Sequence, residues 1–174
     1  VPIEDVTKNM RTKAKAVNFG IVYGQSKYGL AKSLNISNAE AGDFIEKYFM
    51  SYPKIKQYMI EKIDFVHEYG YVETLYGRKR YLQAELSSAN HQIRDFAERA
   101  AINQPLQGTA ADLIKMAMIK IDKKLSEKNM ESKMVMQVHD ELVFEVKKTE
   151  LEELKKLVIE CMELGQPFKV PLEI

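Results

Sequence analysis

A chain of 174 residues can bury roughly 70% of the surface it exposes when unfolded, and 45% apolar with 29% charged residues is the composition of a soluble globular protein. The net charge is only +1, so any nucleic-acid binding must rest on local patches. Cys161 is the sole cysteine, which excludes an internal disulfide and a cysteine-based zinc site and fits a reducing compartment. No apolar run approaches a membrane span, and no signal-peptide pattern opens the chain. The sequence starts at Val1 and stops on Val170-Pro171-Leu172-Glu173-Ile174, which reads as a strand cut short. The expectation is a piece of a longer protein, folded as one domain or two close lobes.

In chain order, residues 7–23 predict a first helix, weakened at Gly20 and stopped at Gly24. A short helix is expected over 27–34. Ser37-Asn38-Ala39-Glu40 reads as a capping box opening a helix over 38–50, with Ala41, Phe44, Ile45 and Tyr48 on one face. Pro53 suits a first helical position, and that helix runs to Tyr69 on an Ile55, Met59, Ile63, Val66 stripe, with Gly70 as its stop. Tyr71–Leu75 and Tyr81–Leu82 flank a basic turn, Tyr76-Gly77-Arg78-Lys79-Arg80. A helix over 88–103 is expected to break at Pro105, and another to run over 107–128 with Leu113, Ala117, Ile121 and Leu125 apolar. Lys133–Val138 and Leu142–Val146 read as strands around His139-Asp140-Glu141. Thr149-Glu150-Leu151-Glu152 reads as a second capping box, starting a helix to Leu164 before an extended end. Helix dominates and a hairpin comes late, so the class is α+β, helix-rich and then hairpin-bearing.

Within the first helix, Arg11, Lys15, Phe19 and Tyr23 recur every fourth residue. Each step of four turns an α-helix by about 400°, so they form one slowly drifting stripe. Two cations can hold a polyphosphate by charge-assisted hydrogen bonds, and a ring further on can stack on a base or press on a sugar. The stripe fits a nucleoside triphosphate lying along the helix. It fits an amphipathic helix with a solvated basic end as well.

Two acids at a hairpin bend, Asp140 and Glu141, are the next feature. Magnesium is often held by one or two carboxylates plus substrate phosphates, and a two-metal site aligns an attacking hydroxyl, a phosphate and a leaving group. Acids are also ordinary turn residues, and His139 could be one more. In Arg99-Ala100-Ala101-Ile102-Asn103-Gln104-Pro105-Leu106-Gln107-Gly108, the amides of Asn103 and Gln107 can donate and accept toward base edges and sugars, or cap a helix around Pro105. Asp112 reads as a structural acid in the first turn of its helix. Arg78, Lys79 and Arg80 can contact DNA phosphates or form a solvated loop.

Taken together, RTKAKAVNFGIVYG, ERAAINQPLQGTAADL and QVHDELVFEV, in that order, resemble the catalytic half of the DNA polymerase I type (family A) polymerases. The intervening YPKIKQYMIEK and GYVETLYGRKRYL resemble the same family, so the likeness runs from Val1 to Ile174. It implies that Arg11 and Lys15 bind the triphosphate, with Lys15 also giving a proton to the leaving pyrophosphate. Phe19 would pack on the incoming sugar and base, and Tyr23 would sit at the template base position until the helix closes. Asp140 would be a metal ligand with Glu141 beside it, and His139 would lie near the primer end. Arg99, Asn103 and Gln107 would contact the primer–template minor groove.

The resemblance further implies residues 1–85 as fingers and 86–174 as the second half of a palm. It implies two magnesium ions, primer–template DNA, a deoxynucleoside triphosphate and the rest of a polymerase chain as partners, no membrane, and a bacterial cytoplasmic, nucleoid-associated setting. Replication and repair are the processes it suggests. Thr12 departs from the family pattern, where many members carry a second arginine. The other catalytic aspartate of the family, in a stretch beginning like D-Y-S-x-I-E, lies upstream of Val1. The chain alone is therefore expected not to polymerise DNA, and its hairpin edge invites self-association. The alternative is a helical nucleic-acid or protein-binding module that kept the shape without the chemistry.

Overall fold

The computed structural model describes residues 1–163 and 168–170. The helix and strand order is α+β, as the periodicities predict. The chain divides into two compact units, 1–107 and 108–174.

In the first unit a short 3-10 turn, Ile3–Asp5, precedes α1, Lys8–Val22, whose N-cap Thr7 accepts from the Met10 N–H at 3.2 Å. Helix α2, Lys27–Leu34, is capped by Ser26 and ends on Asn35 in the left-handed region (φ 54). Helix α3, Asn38–Ser51, has the full capping box: the Ser37 hydroxyl accepts from the Glu40 N–H, and the Glu40 carboxylate accepts from the Ser37 N–H and hydroxyl. Those bonds hold the Glu40 carboxyl below the usual carboxylate range. Helix α4, Pro53–Tyr69, has proline at its start and Gly70 at φ 74 at its end. Ile21, Leu30, Ala31 and Ala41 form the core that joins α1, α2 and α3.

The hairpin that follows is shorter than its apolar pattern suggests. Strands β1, Tyr71–Glu73, and β2, Lys79–Tyr81, pair antiparallel, with Val72 opposite Arg80 and Glu73 opposite Lys79. Lys79 and Arg80 thus belong to a strand and not to a basic tip. The Lys79 ammonium sits 4.1 Å from the Tyr71 ring centroid. Thr74 closes the turn: its hydroxyl accepts from the Tyr76 and Arg78 N–H groups. One short helix, α5, Gln83–Leu86, has no apolar period and was not expected.

The largest correction concerns Pro105. Helix α6 runs unbroken from His91 to Glu127 through it, and the division between the units falls inside this helix. Proline removes the N–H that would serve the Ala101 carbonyl. One residue on, the Tyr58 hydroxyl donates to the Ile102 carbonyl at 2.9 Å, so a donor from α4 supports the helix where its own ladder is weakest. Asp112 accordingly lies mid-helix, not in a first turn. Val66, Val72, Leu82, Ala97, Ala100 and Ala101 pack α4, the hairpin and the start of α6 together.

In the second unit, β3, Lys133–Val138, and β4, Glu141–Glu145, pair antiparallel with Val138 opposite Glu141. The bend is only His139 and Asp140, so Glu141 opens a strand and does not lie at the turn. Helix α7, Leu151–Glu163, buries Leu154, Leu157 and Cys161 against Ile121 and Leu125, with Leu142, Phe144 and Val146 of the hairpin beside them. Full burial of an aliphatic side chain such as Leu154, Leu157 or Ile121 contributes about 1.5–3 kcal/mol. Thr149-Glu150-Leu151-Glu152 is not a capping box. Thr149 lies in a 3-10 turn, Lys148–Glu150, and Glu152 meets Lys155 at 3.1 Å. Glu150 reaches back to accept from the Ser132 hydroxyl (2.6 Å) and N–H (2.9 Å) and from the Glu131 N–H (3.1 Å). The expected helix end at Leu164 and most of the extended tail lie outside the described residues. Among the described residues no helix is long and apolar enough to cross a membrane.

Candidate nucleotide and nucleic-acid interface

Helix α1 turns its apolar side, Ile21 and Val17, into the first unit's core and leaves Arg11, Lys15, Phe19 and Tyr23 exposed. Phe19 and Tyr23 are 52% and 47% accessible, and their rings lie nearly parallel, 13° apart, with centroids 6.1 Å apart. Large rings at such exposure on a packed helix present an apolar face to solvent. Among the described residues neither Arg11 nor Lys15 has an ion-pair partner. The stripe predicted from spacing is therefore present, with its cations open to an anion.

Tyr23 closes α1, its N–H donating to the Phe19 carbonyl at 2.9 Å. Gly24 follows in the left-handed region, φ 77. A Cβ there would stand 3.3 Å from Arg99 Cγ and from Ile102 Cδ1, so glycine serves both the turn and the approach of α6. Asn103 then ties the two helices: its Nδ2 donates to the Tyr23 carbonyl at 3.2 Å and to the Arg99 carbonyl at 2.8 Å. The Gln25 side chain lies against both Gly20 and Gly29, where a Cβ would come within 2.3 Å and 2.9 Å of it, which sets the elbow between α1 and α2.

These contacts shape a cleft of about 230 Å³ lined by Tyr23, Arg80, Phe96, Arg99, Ala100, Asn103, Gln104 and Gln107. The three residues singled out on α6 share it with the last residue of the α1 stripe. A second hollow, about 590 Å³, lies along Ala16, Phe19, Gly20, Tyr23, Ser26, Gly29 and Arg99. Gln104 is a functional candidate that motif reading missed, and Arg80, singled out only as part of a basic turn, lines the cleft beside it. Arg80 Nη1 donates to Gln104 Oε1 at 2.8 Å. The available signal was strand alternation, which sets Arg80 opposite buried Val72. Arg78, by contrast, is exposed on the turn and does not line the cleft.

In the second unit His139, Asp140 and Glu141 are all exposed. His139 adopts φ 54, and its carbonyl accepts from Gln137 Nε2 at 2.8 Å. Among the described residues no three His, Cys, Asp or Glu side chains come together as a metal cage. Two neighbouring, exposed carboxylates still match the chemistry of a hard cation that takes its remaining oxygens from phosphate and water.

A family model described as DNA polymerase family A matches residues 1–174. The chain belongs to DNA polymerase family A. Its family A relatives include a protein named DNA polymerase I from Geobacillus stearothermophilus, 52% identical over 171 residues, covering 98% of this chain and 19% of the relative. Another of that name, from Bacillus subtilis (strain 168), is 51% identical over the same shares. This chain thus spans about a fifth of the length of the curated relatives it matches. A solved structure described as the POL domain of Pol1 from M. smegmatis, in complex with DNA primer-template and dNTP, superposes with a TM-score of 0.91 at 46% identity, covering 99% of this chain and 30% of that one.

Proposed function

We propose that this chain forms part of a template-directed DNA polymerase that extends a primer 3′-hydroxyl with deoxynucleoside triphosphates. The observation that carries this reading is the cleft where Tyr23, ending the Arg11–Lys15–Phe19 stripe, meets Arg99, Asn103 and Gln107. A family relative solved with DNA primer-template and dNTP supports it. Arg11 and Lys15 bind the triphosphate, and Phe19 packs on the incoming sugar and base. Lys15 gives a proton to the leaving pyrophosphate. Tyr23 occupies the template base position, and Arg99, Asn103 and Gln107 meet the minor groove, with Arg78 on the DNA backbone. In the second unit Asp140 and Glu141 would hold magnesium, two ions serving the complete enzyme, and His139 lies near the primer end. Bound magnesium supplies charge stabilisation at the reacting phosphate.

On this reading residues 1–85 are fingers and 86–174 belong to the palm, in a cytoplasmic, nucleoid-associated enzyme of replication or repair. The exposed Met136, Val138 and Val143 of the hairpin also favour self-association of the isolated chain along that edge.

The test is single-turnover incorporation by a complete polymerase bearing this sequence. Lys15→Ala is expected to slow the chemical step on the order of 10²–10⁴-fold as a lost general acid, and Arg11→Ala to weaken nucleotide binding by about 1.5–3 kcal/mol. Incorporation by Lys15→Ala within threefold of wild type refutes the assignment, and unchanged nucleotide affinity in Arg11→Ala counts equally against it.

A further inference from the structure

Two neighbouring amides in the cleft are oriented by their partners, and in opposite senses. Asn103 spends both N–H bonds of Nδ2 on the carbonyls of Tyr23 and Arg99, which leaves Oδ1 as its open end. Gln104 is held the other way. Arg80 Nη1 meets its Oε1 at 2.8 Å, and a guanidinium has only donors to offer. The amide therefore cannot flip without losing the bond, and Nε2, with two N–H groups, is its open end. Among the described residues Nε2 has no protein partner. The cation is itself constrained: Arg80 is half-buried on β2, opposite Val72 in the hairpin core. The four other N–H bonds of its fork have no protein partner among the described residues.

We propose that Arg80 is a positioning residue that holds Gln104 as a fixed hydrogen-bond donor toward the minor-groove edge of a DNA duplex in this cleft. The proposal rests on reading the cleft as a DNA site. Its chemistry follows from the minor groove, where adenine N3 and thymine O2 are acceptors and where every Watson–Crick pair offers acceptors at similar places. A donor fixed there registers the geometry of a pair and not its sequence, and a mispair moves the acceptor away from it. A freely rotating glutamine would accept or donate as the partner required and would discriminate less.

The test uses a complete polymerase bearing this sequence and primer–templates carrying 3-deazaadenine or 3-deazaguanine, which lack the N3 acceptor, at each of the last few primer–template pairs. The readout is kcat/KM for one insertion. Wild type is expected to lose about tenfold at one position, a factor equal to 1.4 kcal/mol. Arg80→Met is expected to be slower on natural DNA and to lose that position-specific penalty. Arg80→Lys, which still offers a donor to Oε1, should restore part of both. Gln104→Leu, a change on a helix that leaves the hairpin intact, should also remove the penalty and serves if Arg80→Met folds poorly. An analogue penalty unchanged in Arg80→Met or Gln104→Leu overturns the proposal, as does the absence of any position-specific penalty in wild type. Arg99→Ala separates the two levels: if it weakens DNA binding while wild type shows no penalty, only the role of Arg80 and Gln104 fails. If Arg99→Ala leaves DNA affinity unchanged, the reading of the cleft fails.

Discussion

Replacing Gly24 by alanine tests the junction on which the cleft depends. The residue sits at φ 77, where an L side chain costs about 1–2 kcal/mol. The new Cβ would also stand 3.3 Å from Arg99 Cγ and Ile102 Cδ1, closer than the 3.5–4.0 Å or so at which carbon atoms attract best. Against this, alanine narrows the unfolded ensemble by about 0.4–1 kcal/mol, a gain outweighed where φ is positive. The net expectation for Gly24→Ala is a loss of about 1–2 kcal/mol, read from the urea midpoint at constant m-value. Gly24→Asn separates backbone from sterics. Asparagine tolerates this region, as Asn35 at φ 54 and Asn129 at φ 51 do in this same chain, yet it carries the same Cβ toward Arg99. It should recover most of the stability. An alanine variant as stable as wild type would falsify the left-handed assignment, and an asparagine variant as unstable as alanine would place the cost in the contact with α6.

Tyr58→Phe removes the hydroxyl that serves the Ile102 carbonyl. A loss of about 1–2 kcal/mol is expected, with faster amide exchange around Pro105, and exchange unchanged there would rule out its supporting role. Burial pushes the Tyr58 phenol up to about 12, so spectroscopic titration should find it the last tyrosine of this unit to ionise. Glu150 is held below the usual carboxylate range, first by the Ser132 hydroxyl and then by the Glu131 N–H. Its contribution is present above the ordinary carboxylate value and is lost as pH falls through the lowered one. Glu150→Gln should therefore flatten the acid limb of the stability curve, and parallel limbs for the two proteins would contradict this.

Local chemistry made much of the fold legible. The start of α3 follows from Ser37 and that of α4 from Pro53, and the ends of α1 and α4 from Gly24 and Gly70. What sequence reading missed depends on residues far apart along the chain. Pro105 marks a helix end by every local rule, yet α4 supplies a donor beside it. Thr149-Glu150-Leu151-Glu152 has the spacing of a capping box, yet Glu150 is drawn off by Ser132. In the site the α1 stripe was readable because a helix converts spacing into a face. The pairing of Arg80 with Gln104 was not, because it needs a strand register and a helix to coincide. The acids of the hairpin were readable as a pair, but only the observed register separates Asp140, in the bend, from Glu141, in a strand.

His139 carries a liability of a different kind. It occupies a left-handed backbone position at φ 54, where glycine or asparagine would rest more easily. Any search for heat-resistant variants that scores survival alone will tend to replace this imidazole, since relief of backbone strain is among the cheapest gains open to a marginally stable chain. Variants enriched at position 139 under heat selection of a complete polymerase bearing this sequence, then assayed for primer extension, would measure directly how much thermal robustness the turn forgoes to keep its ring.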